Sequence, residues 1–432
     1  MELKKYRLGD IAKVEISGID KKSKEGQQDV LLCNFVDVYY NWAVTKDNES
    51  KFMPATASDS EIESFTLHKG QVAITKDSET RDDIGVATYI ADDFDNLVVL
   101  GYHTALITPD EEQLCGKYLN ALMHSSYFQR YWSNNASGSG QRYTLSQKVI
   151  EDAPLYLPDI DIQREIGEFF SDLDRKICLN KKENETLEAM AKQLYDYWFV
   201  QFDFPDSNGR PYKTTGGKMV WNETLKREIP EGWEDKRISE CIHPFERGIS
   251  YSSDDIKKGI GTPMINLACF DKQGNYRTGE LKYFFGEYDS EFLVYPDDML
   301  IATTDMTRNA DIIGTPIWVN REHESFLFTT DLVRLVPKDD VQPSFIYFTL
   351  KDKSYHKYIK PFASGTNVMH LNVQGIMDYK FAYAPHKIQE SFENHYKAIK
   401  KRQDQCINEM NSLKELKGFI LPLLMTGQVT IG

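Results

Sequence analysis

Two stretches of the chain carry apolar residues at alternating spacings of three and four. The first runs through Ile162, Ile166, Phe169, Leu173, Leu187, Ala191, Leu194 and Trp198, the second through Ile388, Phe392, Ile399, Met410, Leu413, Ile420 and Leu424. That spacing predicts the seam of a coiled coil. Each stretch follows a proline, Pro158 or Pro385, a residue suited to the first turn of a helix. Globular helices run to roughly 8–20 residues; these patterns are about twice that and need a long partner, which the other stretch supplies. The predicted pair is antiparallel, with contacts from Ile166, Phe169, Leu173, Leu187 and Leu194 on one side and Phe392, Ile399, Met410, Leu413 and Ile420 on the other. About 37 residues per helix make a spacer on the order of 55 Å between two globular units. Asn180 and Asn184 interrupt the first seam and Gln403 and Cys406 the second; polar groups there fix register and partner at some cost in stability. The alternative is two surface helices, each lying on its own domain.

Elsewhere the apolar runs are short, as at Val98-Val99-Leu100 and Leu327-Phe328, and Gly, Asp, Asn and Ser punctuate them. These predict strands and turns. Asp110-Glu111-Glu112 opens an expected helix through Ser125, and Pro343 opens its counterpart through Leu350. The two halves repeat each other. Leu32-Cys33-Asn34-Phe35 answers Ile265-Asn266-Leu267, and Gly70 to Asp77 answers Asp298 to Asp305. Asp83-Ile84-Gly85 answers Ile312-Ile313-Gly314, and Ala105 to Pro109 answers Val333 to Pro337. Ala136-Ser137-Gly138 answers Ala363-Ser364-Gly365, and Ile162-Gln163 answers Ile388-Gln389. The order never changes, so the matches point to one duplicated module. Between the halves, Phe202 to Trp233 is rich in turn residues and without a period, and is expected to be a connector.

Composition narrows the classes. The 432 residues are 41% apolar and 27% charged, which suits soluble units with real cores. No run of eighteen apolar residues and no apolar segment after Met1 points to a membrane span or a secretory signal. The six cysteines are scattered, without C-x-x-C pairs, which fits a reducing cytoplasm and neither a zinc site nor a disulfide framework. A net charge of -15 argues against non-specific coating of nucleic acid but leaves room for local basic clefts.

Enzyme signatures are missing. Gly216-Gly217-Lys218-Met219 lacks the upstream glycine and the hydroxyl residue of a phosphate loop. Gly138-Ser139-Gly140 lacks the strand–turn–helix setting of a dinucleotide site. No Asn-Pro-Pro-aromatic tetrapeptide and no metal-binding pair of histidines on a helix occurs, and His103 and His370 are expected to make polar contacts. Pro158-Asp159 with Asp174-Arg175-Lys176 formally resembles a nuclease pattern, but Asp174 and Lys176 fall on the expected coiled coil and are read as its charged outer face.

Two similar modules on a stiff spacer describe a bipartite reader of DNA. Base edges call for aligned donors and acceptors, and phosphates for cations. The first module offers Thr75-Lys76-Asp77 and Arg81, then a small-residue loop of Ser137, Gly138, Ser139, Gln141, Arg142 and Tyr143. The second offers Thr303, Thr304 and Arg308, then Ser364, Gly365, Thr366, Asn367 and His370. Glycines there would let the backbone approach a phosphate; Gln141, Arg142 and Asn367 carry the forks that pair two-point with adenine or guanine. The loops differ, with Lys76 set against Thr304, so the expected target has two unlike halves.

The chain resembles the specificity subunit of type I restriction–modification systems. The residues that carry the resemblance are Pro154-Leu155-Tyr156-Leu157-Pro158 leading into Ile162 to Ile166, Ala191 to Phe199, Phe202-Asp203-Phe204-Pro205, Ile229 to Trp233, and Leu421 to Val429. It implies an α+β protein of two mixed α/β target-recognition globules, related by the repeat and separated by two long helices that form an antiparallel coiled coil. The expected division is 1–157 and 233–383 for the two globules, 158–200 and 384–432 for the helices, and 201–232 for the connector. It further implies a non-catalytic chain that reads a split site on double-stranded DNA. Such a chain docks methyltransferase subunits, two in number, on its helices, and motor-nuclease subunits join for cleavage. No cofactor belongs to this chain, S-adenosylmethionine being expected in the methyltransferase partner. The second helix carries His386-Lys387 where the first has Asp159-Ile160-Asp161, a small departure. Base-contacting residues vary with the target and do not transfer. Two other readings stand beside this one: a bifunctional nuclease or methyltransferase with an unrecognised site, and a coiled-coil scaffold that binds proteins alone.

Overall fold

The computed structural model describes residues 2–138, 140–257, 259–271, 274–277 and 279–430. Two compact units make up the chain: residues 1–179 with 410–432, and residues 180–409. The five-part division expected from sequence is therefore drawn differently in space, because each long helix contributes to both units.

The first unit is built around a five-stranded sheet ordered Ala12–Ile16, Thr104–Pro109, Val72–Thr75, Ala87–Ile90 and Ala43–Val44. Val72–Thr75 and Ala87–Ile90 are buried on both faces, which explains why they read as short unbroken apolar runs rather than alternating ones. A smaller sheet pairs Gln28–Cys33 with Met53–Ala57 and, in parallel, with Val98–Leu100. Helices Gly116–Met123 and Ser126–Asn135 bring Tyr118, Leu119, Phe128 and Trp132 into the core with Val72, Ile74 and Ile107. Strand Lys4–Arg7 pairs antiparallel with Pro154–Leu157, closing the module on itself. The expected helix from Asp110 starts later, since Asp110 to Leu114 forms a turn through bonds from Gln113 and Leu114 to the Asp110 carbonyl.

The second unit repeats this plan. Glu234–Arg237 pairs with Lys380–Tyr383, and the sheet Glu246–Arg247, Leu332–Leu335, Met299–Ala302, Pro316–Trp318 takes the place of the larger sheet. Thr262–Ile265 pairs in parallel with Leu327–Phe328, and helices Pro343–Leu350 and Lys353–Ile359 cover the core. The matching Gly85 and Gly314 serve one purpose. Both have positive φ, +76° and +70°, and donate to the carbonyls of Thr75 and Ala302. A side chain on Gly85 would strike the Trp132 ring, and one on Gly314 would strike Tyr355. The ladders correct one sequence pairing. Thr75 faces Thr104 as Ala302 faces Leu332, so Lys76 corresponds to Thr303 and not to Thr304. A one-residue slip of that kind turns a side chain to the other face of a strand.

The long helices span Ile160–Tyr195, continued by a π-helical turn Asp196–Val200, and His386–Met425. In the first unit Ile166 and Phe170 are buried with Leu421, Leu424 and Met425, and Phe169, Leu173 and Ile420 pack on them half-buried. Phe170, beside the expected Phe169, is the more buried of the two and packs toward Trp42 of the module core. In the second unit Ala191, Tyr195, Trp198 and Phe199 are buried with Phe392 and Tyr396, and Leu194 and Ile399 are half-buried beside them. Met410 is buried, and Leu187 and Leu413 are half-buried. Within each unit the helices run antiparallel: Asp174 meets Lys417 in the first, and Asn180 meets Glu409 and Glu183 meets Arg402 in the second. Asp174 is accordingly not on a solvated outer face. It lies 3.7 Å from Lys417, both largely covered, and the Lys417 ammonium sits 3.2 Å above the Trp42 ring.

Residues 201–232 are not a featureless connector. Met219–Asn222 and Arg227–Pro230 form a hairpin, and Phe202, Phe204, Ile229 and the adjoining Trp233 are buried in the core of the second unit. No helix among the described residues is long and apolar enough to cross a membrane.

Candidate nucleic-acid interface

In each unit the expected loops converge around one small sheet. In the first, Asp77–Ser78, Tyr143–Thr144 and Ser137–Gly138 form it, and in the second Thr304–Asp305, Met369–Leu371 and Ala363–Ser364. Leu145 donates to the Lys76 carbonyl and Leu371 to that of Thr303; Lys76 and Thr303 in turn donate to the carbonyls of His103 and Asp331. The backbone circuit is the same and the side chains on it are not.

The first unit places Arg142 against the His103 ring, with Nη2 at 2.9 and 2.8 Å from the two ring nitrogens. His103 Nδ1 lies 2.5 Å from Asp77 Oδ2, which also accepts from Lys76 Nζ at 2.9 Å. Burial pushes the Asp77 carboxyl up, but bonds from Thr144, Lys76 and His103 outweigh it and hold it below its ordinary value. His103 itself is left-handed, φ 69°, immediately ahead of the strand Thr104–Pro109. Arg81 lies 5.0 Å over the Tyr143 ring. Ser137, Gly138, Gln141, Arg142 and Arg81 are exposed, and Ser139 falls outside the described residues.

The second unit brings Arg308 to Asn367, Nη2 to Oδ1 at 3.2 Å, and His370 Nδ1 to within 3.4 Å of the Thr304 hydroxyl. Asp305 accepts from Thr307 and from the Ile312 amide, and so shapes the loop that carries Arg308. Ser364, Gly365, Thr366, Asn367, His370 and Arg308 are exposed. Arg81 and Arg308 thus rest on the same hairpin of their respective modules.

Three expectations change. Thr75 is fully buried and its hydroxyl accepts from the Val86 amide, so it belongs to the core. Thr304 is 5% exposed, and Thr303 donates its hydroxyl to the Asp331 carbonyl. The hairpin glycines answer to the hairpin and not to a phosphate: a Cβ at Gly138 would stand 2.1 Å from the Arg142 carbonyl oxygen, and one at Gly365 1.9 Å from that of Val368.

Sequence reasoning named Asp77 but missed its bond to His103, and it missed Asp331 and the loop ahead of the second sheet. That loop abuts the same face, because Tyr102 donates to the Ile19 carbonyl and Tyr102 packs on His103 at 3.8 Å. It then exposes Lys21, Lys22 and Lys24, the available signal being the Lys-Lys-Ser-Lys run itself. Its counterpart exposes Lys257 over the Phe285 ring at 3.6 Å. Among the described residues no cluster of His, Cys, Asp and Glu has the makings of a metal site.

The chain matches the family described as the type I restriction modification DNA specificity domain twice, over residues 1–189 and 230–415. It is 23% identical to the type I restriction enzyme HindI specificity subunit of Haemophilus influenzae, with 99% of each chain covered. It is 21% identical to the type I restriction enzyme MjaIX specificity subunit of Methanocaldococcus jannaschii, covering 74% of this chain and 71% of that one. The crystal structure of the type I restriction-modification system S subunit from M. genitalium superposes over 98% of this chain and 96% of that chain, with a TM-score of 0.52 at 14% identity, a likeness of fold. Both halves of the duplication fall within the matched ranges, and the chain belongs to the type I restriction modification DNA specificity family.

Proposed function

We propose that this chain is the non-catalytic DNA-recognition subunit of a type I restriction–modification complex, acting in the cytoplasm, each module reading one half of an asymmetric, split duplex site. One observation carries the reading: a single backbone circuit is built twice in one chain and dressed with unlike polar side chains. Shared backbone holds the readers in place, and unlike side chains are what two unlike half-sites require. The -15 net charge is compatible, since partner subunits can supply most phosphate contacts.

The long helices would dock two methyltransferase subunits, which bind S-adenosylmethionine, and motor-nuclease subunits would join that assembly. Support comes from apolar side chains turned outward at corresponding turns. Met190 is 52% exposed and Tyr197 and Val200 stand open after it; Leu416 and Phe419 (70% exposed) occupy the matching stretch of the second helix. Exposed apolar residues at helical spacing on two repeated elements suit two copies of one partner.

The test is co-expression with a type I methyltransferase subunit encoded beside this chain, followed by light scattering and DNA binding at fixed salt. A complex of one chain with two methyltransferase subunits, selective for particular duplexes, is expected. Failure to copurify, together with binding indifferent to DNA sequence, would overturn the proposal. Turnover of DNA by the purified chain alone would favour a bifunctional enzyme instead.

A further inference from the structure

We propose that Arg142 is the specificity-determining residue of the N-terminal module and reads a guanine, through a two-point contact to O6 and N7, in the half-site that this module covers. The inference rests on the DNA-recognition reading above and goes beyond it by naming a base.

Arg142 is exposed at the end of a hairpin whose turn admits glycine alone at position 138. Its guanidinium is nevertheless not loose. It lies against His103, His103 is held by Asp77, and Asp77 is held by Lys76 and by its rung opposite Thr144. A residue that touches phosphate gains little from such support, because phosphate contact tolerates many geometries. A base reader depends on it, since both bonds to a guanine edge must form together from one planar fork. Electrostatics points the same way. The segment 76–83 sets Asp77, Glu79, Asp82 and Asp83 against only Lys76 and Arg81, and that acidic excess disfavours a phosphate there. The neutral acceptors O6 and N7 incur little of that repulsion. Lys21, Lys22 and Lys24 are exposed on another loop, where phosphate contact belongs.

The other candidates serve less well. Gln141 is exposed without a comparable support, and Arg81 rests on the Tyr143 ring, a face contact that does not fix the direction of its donors.

The experiment compares the methylation motifs written in a host by the intact complex carrying the unaltered chain, Arg142→Gln and Arg142→Lys. The wild-type motif should contain a guanine in one half that becomes degenerate, or becomes adenine, in Arg142→Gln, with the other half unchanged. Discrimination at that position should fall roughly ten- to a hundredfold. Arg142→Lys keeps the charge and loses the fork, so it should relax the same position while methylation continues. A wild-type split motif that both variants leave unaltered would overturn the inference and leave the DNA-recognition reading standing. So would a uniform loss of methylation in Arg142→Gln with full activity in Arg142→Lys, the behaviour of a phosphate contact. Absence of methylation with the unaltered chain, by contrast, would count against the function itself. Unfolding curves of the two variants, expected to match wild type, separate either outcome from a folding defect.

Discussion

His124 is stacked on Trp42 with ring centroids 4.3 Å apart and its Nε2 donates to the Ala87 carbonyl at 2.9 Å. Burial, helped by the nearby Lys417 charge, pushes its pKa down to about 4 from the ordinary 6.5. The folded unit thus binds this proton less readily than the unfolded chain does. Stability from this residue is fully present above pH 6.5, falls as pH drops toward 4, and is constant below that. The expected loss between pH 7 and pH 5 is on the order of 2 kcal/mol, read from urea unfolding of the first unit. His124→Phe keeps the stack and should flatten the dependence; an unchanged slope would contradict the assignment. At this scale some of the candidate face could be read from sequence, because Arg142, Arg81, Asn367 and Arg308 sit in loops rich in glycine and hydroxyl residues. Thr75 could not be placed that way, since both faces of its strand are covered and no alternation marks which side is out. The role of Asp77 was hidden for another reason: it comes from His103, distant in sequence and near only in space.

Among the elements, the matching Gln163 and Gln389 show what the repeat preserves. Gln163 is 1% exposed; it accepts from the Cys115 amide and donates to the carbonyls of Gln113 and Pro158. Gln389 is fully buried, accepts from the Gln342 amide and donates to the Ala384 carbonyl. Each staples the start of a long helix to the turn ahead of a core helix. Replacing either with alanine strands buried backbone groups and should cost about 1–3 kcal/mol, measured by denaturant unfolding; loss of less than half a kcal/mol would show that water replaces the amide. The double change Leu194→Asp and Trp198→Asp places two unpaired charges among Phe199, Phe345 and Phe392. It should abolish the cooperative transition of the second unit, and an unaltered melting curve with normal partner copurification would contradict the packing. The helices were legible because three–four spacing survives over many turns. The polar seam positions were legible too: Asn180, Gln403 and Cys406 are buried, with Asn180 bonded to Glu409 and Gln403 to Glu188. Residues 201–232 were not legible, because a short hairpin held by Phe202, Phe204 and Trp233 has no period to detect.

For the whole molecule, duplication is the organising fact. Two units share strand order, the left-handed glycine beside the central strand, the glutamine staple and the loop circuit, while the exposed side chains on that circuit have diverged. Drift of that kind keeps what folding needs and frees what a target selects. The repeat was visible in sequence because the retained positions are structural, and the same fact made one pairing slip by a residue where strand residues are interchangeable. The most direct test of the account is sequencing of the methylated adenines in a host that expresses this chain with its methyltransferase partner. A motif of two unlike halves separated by unspecified bases is the expected result. A single uninterrupted motif, two identical halves in palindrome, or methylation unaffected by removal of this chain would contradict it.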